Sequence, residues 1–411
     1  MSLYHSAKYK LRNIRRTIAS LLEGDFPLEA GRNALRRLQD AFDAFEGKDG
    51  SLERARQLDD NDNLRQVTQN LNVKIYQALP ILGFILRSTN VRNAFEMLEP
   101  LQAIAKSALQ GNPQLILSSE WDYVPFAYPQ SLDNLKSFIL IGLPASEAAS
   151  ALLMPVAGHE LGHAAWRNQG IGAGLQQSLQ TKCREYYGAS MSEFTRRFTD
   201  YNEKDLVRRN ILPDAISESS IYASYQAEEL FSDLFAYACF GPSYLRAFAY
   251  ILAPGEGACD AKYPMHSTRV RVVRKVATDE QVVLPDFDEL GFRPDGRRGD
   301  ARHQFIIKAA EHAVEQITDE LWQIVLAIVA RAPLVRPAAE QANLHLRNIQ
   351  IGIPSPKVEC VGNIINAGWQ RYDEIIEDRK SGNDPSERLS QLNEILLKTI
   401  EVFEFQRRVA P

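Results

Sequence analysis

One segment constrains this chain more than any other: Gly158-His159-Glu160-Leu161-Gly162-His163-Ala164-Ala165-Trp166. An α-helix turns once every 3.6 residues, so residues four apart share a face and His159 and His163 can both reach one ion. Neutral imidazole suits zinc. Glu160 is rotated off the pair, where a carboxylate can take a proton from water activated by the ion. Leu152, Leu153, Val156 and Leu161 give the predicted helix an apolar side. Gly158 and Gly162 lower helix propensity, a cost that stability alone would not select. The competing reading is a core helix that carries two satisfied histidines.

A catalytic zinc takes three protein ligands and keeps one position open. Positions 166 and 169 are Trp and Gln, so no third histidine follows at the His-x-x-Gly-x-x-His spacing. The third ligand is sought in Ala227-Glu228-Glu229-Leu230-Phe231-Ser232-Asp233-Leu234-Phe235-Ala236, where Glu229 and Asp233 are again four apart. Glu229 is the favoured ligand. Asp233 is suited to accept the far N–H of a ligating histidine and fix its tautomer. Asp233 and Glu228 remain alternatives for the ligand itself. The neighbours Leu230, Phe231, Leu234 and Phe235 are apolar, so carboxylates buried among them need a cationic partner or a metal. Acidic pairs at this spacing are otherwise common on solvated helix faces.

The rest of the 411 residues narrows the classes. Apolar residues make up 45% and charged residues 24%, which is the mix of a folded globular protein. A net charge of -5 gives no reason to expect nucleic acid as a partner. Four cysteines without a CxxC pair fit a reducing compartment. Residues 1–18 carry Lys and Arg throughout and lack the apolar core of a secretory signal. The longest apolar stretch, about 138–157, contains Pro144, Glu147 and Pro155, which argues against a membrane span. The expected location is the cytoplasm.

The fold expectation is mainly α with a small β component (α+β). Periodic apolar residues predict an N-terminal helical region over 1–113, with Pro80 and Pro100 bending or restarting its helices. Residues 114–276 form the core segment. It opens on the apolar runs Leu115-Ile-Leu117 and Ser137-Phe138-Ile139-Leu140-Ile141, read as short strands around a stretch rich in aromatics and prolines at 121–129. Pro155 should kink or start the His159 helix. A Gly/Pro break falls at 254–257. Residues 277–301 read as a linker or long loop, and 302–411 as a C-terminal helical region.

The two motifs resemble those of the gluzincin metallopeptidases: His-Glu-x-x-His on one helix and Glu-x-x-x-Asp on a later one. The nearest form is that of the CAAX-prenyl-protease-like group, whose second motif is Glu-x-x-Ala-Asp. Here Ser232 replaces the alanine. That group also carries His-Pro with Arg five residues after the proline. Here Tyr263-Pro264-Met265-His266-Ser267-Thr268-Arg269 keeps the proline-to-arginine spacing, with Tyr in place of the first His. The resemblance spans about 137–270 and lacks the membrane helices of many such proteins. It implies a zincin-like core, Zn2+, peptide hydrolysis, and an edge strand at Phe138, Ile139, Leu140 and Ile141 beside the active helix, on which a substrate strand pairs. By the same analogy Arg269 holds structure or substrate, and His266 and Tyr263 stabilise an oxyanion.

The expected function is a zinc metallopeptidase acting on a selective protein or peptide substrate. Its ligands are His159, His163 and Glu229, its general base is Glu160, and the long helical flanks leave room for a regulatory partner. The alternatives are a zinc hydrolase of non-peptide substrates and a non-catalytic helical interaction protein that retains the motif.

Overall fold

The computed structural model describes residues 3–24, 26, 29–46, 50–58, 61–90, 95–120, 125–128, 135, 137–147, 149–198, 210–253, 261–284, 300–331, 334–378 and 385–409. Three sequence features fall largely outside them: the aromatic and proline-rich stretch at 121–124, the break at 254–257, and 285–299 of the expected linker. The remainder of that linker is structured at both ends. Residues 277–279 complete a helix, and the Asp300 carboxylate caps the next one by accepting from the Arg302 and His303 amides at 2.9 and 2.8 Å.

The described chain is mainly α, with sixteen α-helices and one three-stranded mixed sheet. It divides into two compact units. Unit 1 comprises 1–98 and 111–149, and unit 2 comprises 99–110 and 150–411.

Unit 1 holds α1 (Leu3–Leu22), α2 (Glu29–Asp43), α3 (Ser51–Gln57), α4 (Asn61–Asn90), the start of α5 (Phe95–Ala108), and the strands β1 (Gln114–Glu120), β2 (Phe126–Ala127) and β3 (Phe138–Pro144). The stripes Leu11-Ile14-Ile18 and Leu35-Leu38-Phe42 meet Leu71, Ile81, Phe84, Ile116, Phe138 and Leu140 in one apolar core. Pro80 and Pro100 lie inside continuous helices and restart neither. Around Pro80 the buried Ala78, Ile81, Leu82 and Ile85 hold both sides of the helix in the core, which offsets the missing amide bond.

The strand order is β1-β3-β2. β1 runs parallel to β3, pairing Leu115 with Ile139 and Leu117 with Ile141, while β2 is antiparallel to β3 through Phe126–Gly142 and Ala127–Ile141. Phe138, Ile139, Leu140 and Ile141, expected at an edge, therefore belong to the middle strand. An unbroken apolar run suits burial on both faces, and every residue of β3 is buried. Among the described residues, the edges of the sheet belong to β1 and β2.

Unit 2 is helical and contains the motif residues. Pro155 stands in the first turn of α6 (Met154–Asn168), where its missing N–H costs nothing, so it starts the helix. After α7 (Ile171–Ala189) and α8 (Met191–Arg197) comes α9 (Ile211–Phe240), about 45 Å long at 1.5 Å per residue. Its second half, from Gln226 to Phe240, is almost wholly buried. Then follow α10 (Ser243–Leu252), α11 (His266–Asp279), α12 (Ala301–Gln316), α13 (Thr318–Arg331), α14 (Ala339–Gln350), α15 (Val361–Asp378) and α16 (Ser386–Val409).

The contact that positions the site is α6 on α9. A Cβ at Gly162 would lie 2.6 Å from the Ser232 Cα, and one at Gly158 would lie 2.6 Å from the Phe240 ring. The two glycines let the backbones approach where any side chain would hold them apart. The C-terminal helices brace both partners. Asn366 of α15 donates to the Phe240 carbonyl and accepts from the Ser243 amide, both at 2.8 Å, at the end of α9. Trp369 donates to the Leu152 carbonyl at 3.1 Å, and Asn393 accepts from the Ala151 amide at 2.9 Å, at the entry to α6.

Gly162→Ala is expected to cost about 1–3 kcal/mol through overpacking against Ser232. Gly174→Ala, at a helical position open to solvent, should gain about 0.5–1 kcal/mol. Urea denaturation of the two variants checks this, and equal effects would contradict the close-approach account.

Candidate metal centre

Helix α6 supplies His159, Glu160 and His163, and α9 supplies Glu228, Glu229 and Asp233. Three of these converge as a group that could hold a metal, with the ligand atoms of His159, His163 and Glu229 all within 4.8 Å of one another. The two Nε2 atoms are 3.2 Å apart. Glu229 places Oε2 3.6 Å from His159 Nε2 and Oε1 3.5 Å from His163 Nε2. Ligand atoms bonded at 2.0–2.1 Å to a tetrahedral ion lie roughly 3.3–3.4 Å apart. The separation of the two Nε2 atoms matches an edge of such a tetrahedron, and Glu229 turns one oxygen toward each histidine at nearly the same distance.

The outer nitrogens explain why both Nε2 atoms face this point. His159 Nδ1 is 2.9 Å from Asp233 Oδ1, and His163 Nδ1 is 3.0 Å from Glu228 Oε1. The Glu228 hydrogen bond at His163 Nδ1 fixes the tautomer that leaves its Nε2 lone pair inward, while Asp233 lies at ion-pair distance from His159 Nδ1 without a formed hydrogen bond. Glu228 and Asp233, both left open as ligands on sequence, thus occupy the far sides of the rings.

Each bracing carboxylate is itself held. Arg269 donates Nε to Asp233 Oδ2 at 2.8 Å and Nη2 to Oδ1 at 2.6 Å, a two-pronged buried pair. Its guanidinium lies over the Phe248 ring, 4.7 Å from the centroid. The Tyr244 hydroxyl also donates to Asp233 Oδ1, and its ring stacks on His159. On the other side Arg167 donates Nε to Glu228 Oε1 at 3.1 Å. His266 opens α11, buried, with its ring edge-on to Phe248. Tyr263 is 44% exposed on the turn before it. Glu160 is 6% exposed.

Titration follows from these contacts. Burial opposes a charge on His159, but Asp233 and Glu229 outweigh it and raise its pKa to about 9. Burial likewise opposes charge on Glu229, yet His159, Arg269 and His163 hold it down to about 2. Arg269 keeps Asp233 well below the carboxylate range despite full burial. Burial and the nearby Arg269 push His266 down to about 4, so its ring is neutral. Glu228, Glu229 and Asp233, all held below the ordinary carboxylate range, bring three negative charges against two positive from Arg167 and Arg269, an excess that a cation can meet. Without the cation, a proton on His159 offsets that excess.

Sequence inspection missed Arg167 and Tyr244 and the bracing role of Glu228. Arg167 stands four residues after His163 on the same helical face, a spacing that carried the signal. Tyr244 lies beyond the turn that ends α9, and no periodicity links it to Asp233.

No family model matches the chain, and no curated protein or solved structure is similar to it at a significant level. Among the described residues, no helix is long and apolar enough to cross a membrane.

For His159 the folded pKa lies above the ordinary value near 6.5. Stability from its protonated form is therefore complete below about pH 6.5 and lost as pH rises through about 9. Bound metal keeps the imidazole neutral and removes that loss. The melting temperature of chelator-stripped protein should fall from pH 6.5 to 9 while that of zinc-loaded protein stays level. Parallel curves would show that His159 is not a ligand.

Proposed function

We propose that this chain is a zinc-dependent hydrolase of the gluzincin type, cleaving peptide bonds in a selective protein or peptide substrate in the cytoplasm. The observation that carries this reading is the face formed by His159, His163 and Glu229, with each histidine braced by its own carboxylate. A structural zinc is closed by four side chains, whereas two histidines and one glutamate leave a coordination position for substrate chemistry. Zinc held there supplies Lewis acidity and makes water acidic enough to react near neutral pH.

The protein's own groups divide the remaining work. Glu160, next to a ligand but turned off its face, accepts the proton of the attacking water at its carboxylate and delivers it to the leaving amine. Asp233 orients His159. Arg269, committed to Asp233 by two hydrogen bonds, acts through that carboxylate and not on substrate. His266, neutral because burial depresses its pKa, offers an N–H to the oxyanion, and Tyr263 offers its phenol from the preceding turn.

A second reading is a zinc hydrolase acting on a non-peptide substrate. The place of β3 between β1 and β2 favours it, because an extended peptide docks on a free strand edge and β2 already takes that edge at Ile141 and Gly142.

Elemental mass spectrometry of protein purified without added metal should find about one zinc per chain. Glu160→Gln should keep that zinc and lose hydrolysis by about 100-fold or more, since the base is gone while the ligands stay. Zinc absent even after it is offered would end the enzymatic reading. Full activity in the zinc-loaded Glu160→Gln protein would end the mechanism.

A further inference from the structure

We infer that Glu228, shared between His163 and Arg167, is the positioning residue that sets this protein's metal affinity. The inference rests on the metal-site reading above.

The two histidines are supported unequally. Behind His159, the Asp233 side chain is fully buried and Arg269 is 10% exposed, and the Tyr244 hydroxyl adds a further bond to the same carboxylate. Hydrogen bonds in such a setting are strong and little screened. Behind His163, the Glu228 side chain is 19% exposed and Arg167 is 44% exposed. There water and salt compete for both partners, and an exposed pair of this kind contributes little to folding.

Both contacts on that side fall on one atom. His163 Nδ1 and Arg167 Nε each approach Glu228 Oε1, at 3.0 and 3.1 Å. The guanidinium fixes the carboxylate rotamer, and the carboxylate in turn holds the His163 ring and raises its basicity toward a cation. Asp233 serves the fold as well as the metal, because it accepts both short hydrogen bonds of the buried Arg269, whose Nη1 otherwise reaches only Glu229 Oε2 at 3.5 Å. Glu228 can be changed with little effect on the fold, so it is the place at which metal affinity is adjusted independently of stability.

The test is competition for zinc alone against a chromophoric chelator, with melting of the metal-free proteins alongside. Glu228→Gln should weaken zinc binding by about 10-fold or more, because bracing groups of this kind govern metal affinity by about 10–100-fold. Its metal-free melting temperature should equal that of the wild type. Asp233→Asn should lower both quantities, since it takes from the buried Arg269 guanidinium its nearest counter-charge. Glu228→Gln binding zinc within about twofold of the wild type would overturn the inference. So would a metal-free melting temperature lowered as far as in Asp233→Asn, which would make Glu228 structural. Failure of the wild type itself to bind zinc overturns the underlying metal reading, an outcome distinct from the other two.

Discussion

The close approach of α6 and α9 is the constraint on which the rest of the site depends. His159 and His163 come from one helix and Glu228, Glu229 and Asp233 from the other, and their side chains are too short to meet across an ordinary helix separation of 8–10 Å with bulky residues between. Gly158 and Gly162 remove that bulk on the face that carries the histidines. The helical propensity lost at two glycines is the local cost of bringing five polar side chains to one point. Asn366, Trp369 and Asn393, far along the chain, hold the ends of these helices in place, so the C-terminal helices form part of the support of the site.

Electrostatics sets the second constraint. Asp233 is fully buried, and Glu229 and Glu160 nearly so, in a helix pair otherwise lined by Leu230, Phe231, Leu234 and Leu161. Such carboxylates are tolerable only with cations beside them. Arg269 and Arg167 meet part of the charge. The remainder raises the proton affinity of His159 and, by the same physics, its affinity for a divalent ion. Proton and metal would compete for one lone pair, and the three inward residues form a group that could hold the metal.

Much of the site was legible in the chain itself. Four-residue spacings placed His159 with His163 and Glu229 with Asp233, and apolar neighbours marked both helices as buried. Of the two readings open for Pro155, a kink or a helix start, the second holds. Other features were not legible. The run at 138–141 was read as an edge strand, yet apolar residues without alternation suit a strand covered on both faces and paired on both sides. The helix does not restart at Pro80, one of the two outcomes expected there, because core packing on both sides of it outweighs a local penalty. The part of Glu228 was hidden between two roles, since a carboxylate next to a ligand can bind metal or brace a ring, and only the ring's orientation separates them.

The sequence by itself determined which chemistry the chain can carry, because the residue types and the 3.6-residue period of a helix dictate which side chains share a face. The tertiary structure alone decided which faces meet. The pairing of α6 with α9, the assignment of Glu229 to the inside and of Glu228 and Asp233 to the outside, and the recruitment of Arg269 and Tyr244 from separate helices all depend on contacts between residues distant in the chain. Local periodicity contains no information about such contacts, since they are selected by shape and charge only once the helices pack.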